Sequence, residues 1–162
     1  MKRILSPIFA LLLLGMAPAP APADGRPQDA LAVIPVSAED EAMNAAIAQA
    51  QRTLPDFLRL LANPPAGSTG YAIKFPLGGY EHIWVEDVRL EGQVLVGTLA
   101  NYPEQAGYSF GQNVRVPLAQ VSDWAYRDAK GVMQGHFTTR VLLATMPKDE
   151  AAQVREALGW TE

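Results

Sequence analysis

The run Glu81-His82-Ile83-Trp84-Val85-Glu86-Asp87-Val88-Arg89-Leu90, the pair Glu91-Gly92 and the run Gln93-Val94-Leu95-Val96-Gly97-Thr98-Leu99-Ala100 together decide the fold class. Both runs are rich in β-branched and aromatic residues, and the dipeptide between them is a hairpin turn signal. Gly97 interrupts the second run, which predicts a bulge or a close backbone approach. Working outward, Tyr71 to Phe75 reads as a short strand and Val114 to Leu118 as another. Val121 to Arg127 and Val132 to Val141 read as a second hairpin around Asp128-Ala129-Lys130-Gly131. Ten of the thirteen glycines fall between Gly67 and Gly135, so turns should be dense there.

Helical patterns flank the strands. Met43, Ile47, Ala50, Leu54, Leu58 and Leu61 recur at steps of three and four, one apolar stripe on a helix. Ser37 and Asp40 precede it in an S-x-x-D arrangement that can cap its start. Pro55 lies inside the stripe and predicts a break or kink near Thr53-Leu54, leaving two helical pieces. Pro147 opens a short final helix, with Asp149 and Glu150 in the first turn where the helix dipole favours anions. The expected fold is α+β: a helix kinked near Pro55, a strongly curved antiparallel sheet of about five to six strands built from hairpins, and a short C-terminal helix.

Length and composition set the outer limits. The 162 residues are 49% apolar and 19% charged, with a mean hydropathy of +0.02, which excludes a disordered acidic tail and a multi-span membrane protein. There is no cysteine, hence no disulfide framework, thiol nucleophile, thiolate metal site or cysteine-borne lipid anchor. Met1-Lys2-Arg3, the apolar run Ile4 to Leu14 and the small, Pro-rich Gly15 to Ala23 form the three parts of a secretory signal peptide. Cleavage is expected after Ala23, because the alternative frame Ala17-Pro18-Ala19 would leave Pro20 as the next residue. The expected organisation is a leader over 1–23, a flexible Ala/Pro-rich spacer over 24–36 and one domain over 37–162. The implied location is periplasmic or secreted, with no membrane span after cleavage.

Loss of the leader would leave 11 basic against 17 acidic residues, a net charge of −6. That field repels phosphate backbones, so nucleic acid is not an expected partner.

Four segments in order carry a family resemblance. They are Gly79-Tyr80-Glu81-His82-Ile83-Trp84-Val85-Glu86-Asp87-Val88, Gly97-Thr98-Leu99-Ala100-Asn101-Tyr102-Pro103, Val121-Ser122-Asp123-Trp124-Ala125-Tyr126 and Gly135-His136-Phe137-Thr138-Thr139-Arg140-Val141-Leu142-Leu143. Together they resemble the bacterial YegJ-like family, domain of unknown function 2314, over roughly Ser37 to Gly159. The chain departs from the family at His136-Phe137, where a second Gly and a Tyr are frequent. The resemblance implies a domain boundary and no particular reaction, ligand or cofactor.

The residues themselves offer three chemical readings. Glu81 and His82 are adjacent on a strand and face opposite ways, so they cannot share one metal. His82 and Glu86 share a face but lie about 13 Å apart, too far for a single ion; no metal or cofactor site is expected. Asp123 and His82 are candidate convergent polar groups in an apolar mouth lined by Trp84 and Trp124. Gly107-Tyr108-Ser109-Phe110-Gly111 fits G-x-S-x-G, with Asp123 and His136 following in hydrolase order, but it lacks the strand–turn–helix context of a nucleophile elbow. The leading expectation is therefore a binding or protein-interaction module without catalysis. Its candidate ligand or partner surface is Glu81, His82, Trp84, Asn101, Asp123, Trp124 and Arg140, beside loop Asn101 to Gly111. Tyr102, Tyr108 and Phe110 in that loop could rim a cleft or a partner surface. The alternative is a small hydrolase using Ser109 or a His82/Asp123 pair.

Overall fold

The computed structural model describes residues 41–160. The expected leader, the spacer and the Ser37/Asp40 cap lie outside them. Three helices and six strands follow one another as α1 (Glu41–Ala62), β1 (Thr69–Leu77), β2 (Glu81–Glu91), β3 (Val94–Leu99), β4 (Asn113–Pro117), β5 (Asp123–Arg127), β6 (Met133–Gly135), α2 (Phe137–Thr145) and α3 (Lys148–Ala157). The strands form one antiparallel sheet in the order β4-β3-β2-β1-β5-β6. The α+β class is as expected.

The hairpins follow the local sequence. Glu91 pairs with Val94, leaving Gly92-Gln93 as a two-residue turn, and Gly92 takes φ 65° as such turns require. Gly97 is a close approach, since a Cβ there would meet the Glu86 carbonyl oxygen and Val85 Cγ1. The register of β2 on β3 shifts between Glu86 and Arg89 at this point, and Asp87 takes a positive φ of 53°. The bulge and the missing side chain are thus two halves of one device.

Alternation along β1 feeds two apolar layers. Ile73, Phe75 and Leu77 face a cluster with Ala50, Leu54 and Phe57 of α1 and Trp124 of β5. Ala72 faces a second cluster on the other side with Trp84, Ala125, Met133, Leu143 of α2, and Ala151, Val154 and Leu158 from α3 and its end. In the first layer Phe57 stacks on Trp124 at 5.3 Å between ring centroids, and Phe137 meets the same indole edge-on at 5.3 Å.

Three expectations are corrected. The sheet is open and not strongly curved. Helices cover both of its faces, so it buries its apolar residues without curling on itself. The break at Pro55 does not occur, and α1 runs uninterrupted from Glu41 to Ala62. Pro55 lies on the exposed side, as does Gln51, whose carbonyl loses its i+4 partner, while Leu54 and Phe57 hold the helix to the core. Finally, the strand expected over Val132 to Val141 stops at Gly135 and gives way to α2. Gly135 and His136 take φ 77° and 54°, which turns the chain out of the sheet.

Gly97→Ala should cost about 2 kcal/mol or more, because the added methyl meets backbone that cannot move aside. Chemical denaturation of the two forms checks this.

Candidate functional site

Register places three polar or aromatic residues in one row across the middle of the sheet. Lys74 of β1 pairs with Trp84 of β2 on one side and with Asp123 of β5 on the other. Directly paired residues point to the same face, here the one covered by α3 and its end. All three are buried. Lys74 Nζ lies 4.8 Å from the Trp84 ring centroid, a cation–π contact. It also donates to Thr138 Oγ1 at 2.9 Å, and that hydroxyl donates onward to Asp123 Oδ2 at 2.6 Å. Thr138 therefore joins ammonium to carboxylate, one bond to each.

Asp123 has no lone pair to spare. Oδ1 accepts from the backbone N–H of Trp124 at 2.8 Å and of Phe137 at 3.1 Å. Oδ2 accepts from the Thr138 N–H at 2.8 Å as well as from the hydroxyl. Four donors fill a carboxylate's capacity, which requires the ionised form. Two of them are the first amides of α2, so a strand residue caps a helix that its own N-cap, His136, does not. Burial pushes the Asp123 carboxyl up, while Lys74 and the hydrogen bonds hold it down. Burial pushes the Lys74 ammonium down, and Asp123 opposes that shift.

The histidines flank this row. His82 pairs in register with Pro76 and is half-buried; its Nδ1 pairs with Ser122 Oγ at 2.9 Å. Burial and the nearby Lys74 both lower its pKa. His136 is buried between Trp84 and Trp160, with ring centroids 4.8 and 6.1 Å away. Its Nδ1 pairs with Thr139 Oγ1 at 3.0 Å, and its Nε2 is buried with no partner among the described residues. Burial, then Lys74, Arg140 and Arg127, push its pKa from 6.5 down to about 3. The ring is therefore neutral.

The candidate mouth does not form. Trp84 and Trp124 sit in separate apolar clusters on opposite faces of the sheet. His82 reaches Ser122 and not Asp123. Trp124 donates its indole N–H to the Ala50 carbonyl and to Thr53 Oγ1, each at 3.1 Å. Glu81 is buried and accepts the amides of Glu104 at 2.9 Å and Gln105 at 3.2 Å. Asn101 Oδ1 accepts the Trp84 amide at 3.1 Å. Arg140 is exposed and stacks 3.8 Å over Trp160. Ser109 lies in an exposed turn, its amide bonded to Gln112 Oε1, whereas Asp123 and His136 are buried around the start of α2.

Sequence reading missed Lys74 and Thr138 and set His136 aside. A signal for Lys74 was present: one lysine within the otherwise uncharged run Tyr71 to Leu77, between helical patterns able to cover both sheet faces. Among the described residues no group of three or more His, Asp or Glu side chains could hold a metal ion. No described helix is long and apolar enough to cross a membrane.

Fold and site together define a small α+β domain with helices on both faces of an open sheet and a lysine–threonine–aspartate bridge at its centre. The chain belongs to the bacterial family described as "Uncharacterized protein conserved in bacteria (DUF2314)", whose model matches residues 40–161. It is similar to the uncharacterized protein YegJ of Escherichia coli strain K12, 29% identical over 124 residues, covering 74% of this chain and 79% of that protein. It also resembles a protein of Neisseria meningitidis serogroup B named for ankyrin repeats, 31% identical over 80 residues, 49% of this chain and 31% of the other. No solved structure matches.

Thr138→Val keeps the shape but removes the bridging hydroxyl. It should cost about 3 kcal/mol, since it strips a hydrogen bond from each of two buried charges. Thr138→Ser should retain most of that stability, measured by the same denaturation.

Proposed function

We propose that this protein is exported, is cleaved after Ala23, and acts in the periplasm or outside the cell as a non-catalytic module that binds a protein partner. The observation that carries the binding reading is a set of exposed aromatics on a fixed frame. Tyr80 is 68% exposed, Phe110 50% and Tyr102 44%. Tyr102 and Phe110 stack on each other at 5.0 Å. Their loop is tied to the sheet by the Glu81 carboxylate, by Asn101 and by the Gly111 amide, which donates to Leu99 O at 2.9 Å. The β1–β2 turn carrying Tyr80 abuts this loop, because a Cβ on Gly78 would run into the Gln105 side chain.

Rigid aromatic side chains give a large contact area at little entropic cost, the composition of interface anchors. Most of the residues singled out as a surface in the sequence thus divide into two roles. Glu81 and Asn101 position the loop, while Trp84, Asp123 and Trp124 hold the fold. The export reading rests on the leader pattern in the sequence.

A second reading, a small hydrolase, draws on the Ser122–His82 contact at 2.9 Å. Ser122 is buried, and the neighbouring Asp123 is fully engaged elsewhere.

Fractionation with N-terminal sequencing should find a chain beginning at Asp24 outside the cytoplasm; an uncleaved cytoplasmic chain contradicts export. A photo-crosslinker at Tyr108, beside the pair, should give a discrete adduct in the native host. Tyr102→Ser with Phe110→Ser should remove the adduct and change stability by less than about 0.5 kcal/mol. An unaffected adduct contradicts this surface, and ester turnover or fluorophosphonate labelling of Ser122 supports the hydrolase instead.

A further inference from the structure

The segment from α3 to Trp160 covers the face that carries Lys74 and Trp84. Ala151, Val154 and Leu158 supply its apolar contacts. Its polar ties are few. The Met133 amide donates to Leu158 O at 2.8 Å, Trp160 Nε1 donates to Met133 O at 2.7 Å, and Arg127 Nη2 donates to Ala157 O at 3.3 Å. Arg140 stacks on the outside of Trp160. Beneath it, the His136 ring is wedged between Trp160 and Trp84 at the one-residue joint between β6 and α2. That joint is strained: a residue with a side chain sits at φ 54°, held there by its surroundings.

We propose that Lys148–Trp160 is an acid-released strap, latched by neutral His136 and freed when protonation drives that ring out from between Trp84 and Trp160. Among the described residues, the charges that act on the ring are cationic and give an imidazolium no counter-charge. Lys74 from β1, Arg127 from β5 and Arg140 from α2 all act on it as cations. Asp123 of β5, the carboxylate of the central row, already accepts four hydrogen bonds. From β2 and the strap the rings of Trp84 and Trp160 pack on it, the half-buried carboxylate Glu86 lies two residues further along the same face of β2, and α2 adds the Thr139 hydroxyl, which is taken up by Nδ1. The orphaned Nε2 has nowhere to place a charge.

The direction of the pH effect follows from linkage. With His136 at about 3 when enclosed and 6.5 when free, the closed form binds fewer protons than the open form between those values. Opening therefore becomes easier as pH falls below 6.5 and is insensitive to this group above it. The steepest possible response is about tenfold in open population per pH unit. Release would uncover Trp84, Lys74 and Met133 while α1 still covers the opposite face. The device is independent of the aromatic loop.

Hydrogen exchange of the full chain between pH 7 and 4.5, corrected for intrinsic rates, tests it. Amides of Met133 and of Leu158 to Trp160 should lose protection by up to about tenfold per pH unit below 6.5, always exchanging faster than those of β1 and β2. His136→Asn, which tolerates the left-handed backbone and does not titrate here, should flatten that slope. Trp160→Leu should lose strap protection already at pH 7 and keep that of β1 and β2. An unchanged slope in His136→Asn overturns the proposal. So does a common rate for strap and central strands at every pH, a result the wild type and Trp160→Leu deliver even if the Asn variant fails to fold.

Discussion

A lysine ammonium enclosed at the centre of a sheet is the constraint on which this structure turns. Lys74 lies on the second strand from neither edge, with strands on both sides and helices above and below. Its burial removes it from bulk solvent, so the fold must supply an acceptor and a counter-charge. It does so in one row, with Trp84 on one flank, Asp123 on the other, and Thr138 reaching in from α2 to bridge the pair. Three elements distant in sequence are thereby required to meet at one point. The Asp123 carboxylate also fixes where α2 begins by accepting its first two amides. A slip of one residue in β1 or β5 would turn the charged groups to opposite faces, so the bridge sets register as well as charge.

Much of the fold is legible in the sequence because it is local. The Glu91-Gly92 signal, the interruption at Gly97, the α1 stripe and the Pro147 start of α3 each express a short-range rule, and each is found in the structure. What escapes is set by partners far along the chain. Thr138-Thr139-Arg140-Val141 reads as strand from its β-branched residues, yet it is helix because Asp123, fifteen residues before Thr138, caps it. Pro55 reads as a break, yet packing by Leu54 and Phe57 carries the helix through it. Lys74 is passed over because its enclosure depends on elements distant in sequence that cover both faces of the sheet.

The same distinction runs through the candidate site. Glu81, Trp84, Asp123 and Trp124 stand out in sequence and are all enclosed in the structure, each with a defined structural partner. Their polar groups hold a loop, a row and two helices in place. The residues left facing outward, Tyr80, Tyr102 and Phe110, are carried by turns those groups make rigid. Residues that stand out in the sequence can therefore mark the frame, while the outward-facing aromatics lie beside it. His136 sits at a strained joint of the frame, a buried ring with a nitrogen unpartnered among the described residues.

A double-mutant cycle between Lys74→Met and Asp123→Asn tests the central account most directly. If the row works as one bridged unit, removing the second charge should cost far less once the first is gone. The cycle should then give a coupling of about 1–3 kcal/mol by chemical denaturation. Losses that add within about 0.5 kcal/mol would show two independent buried groups and contradict the view that this row organises the fold.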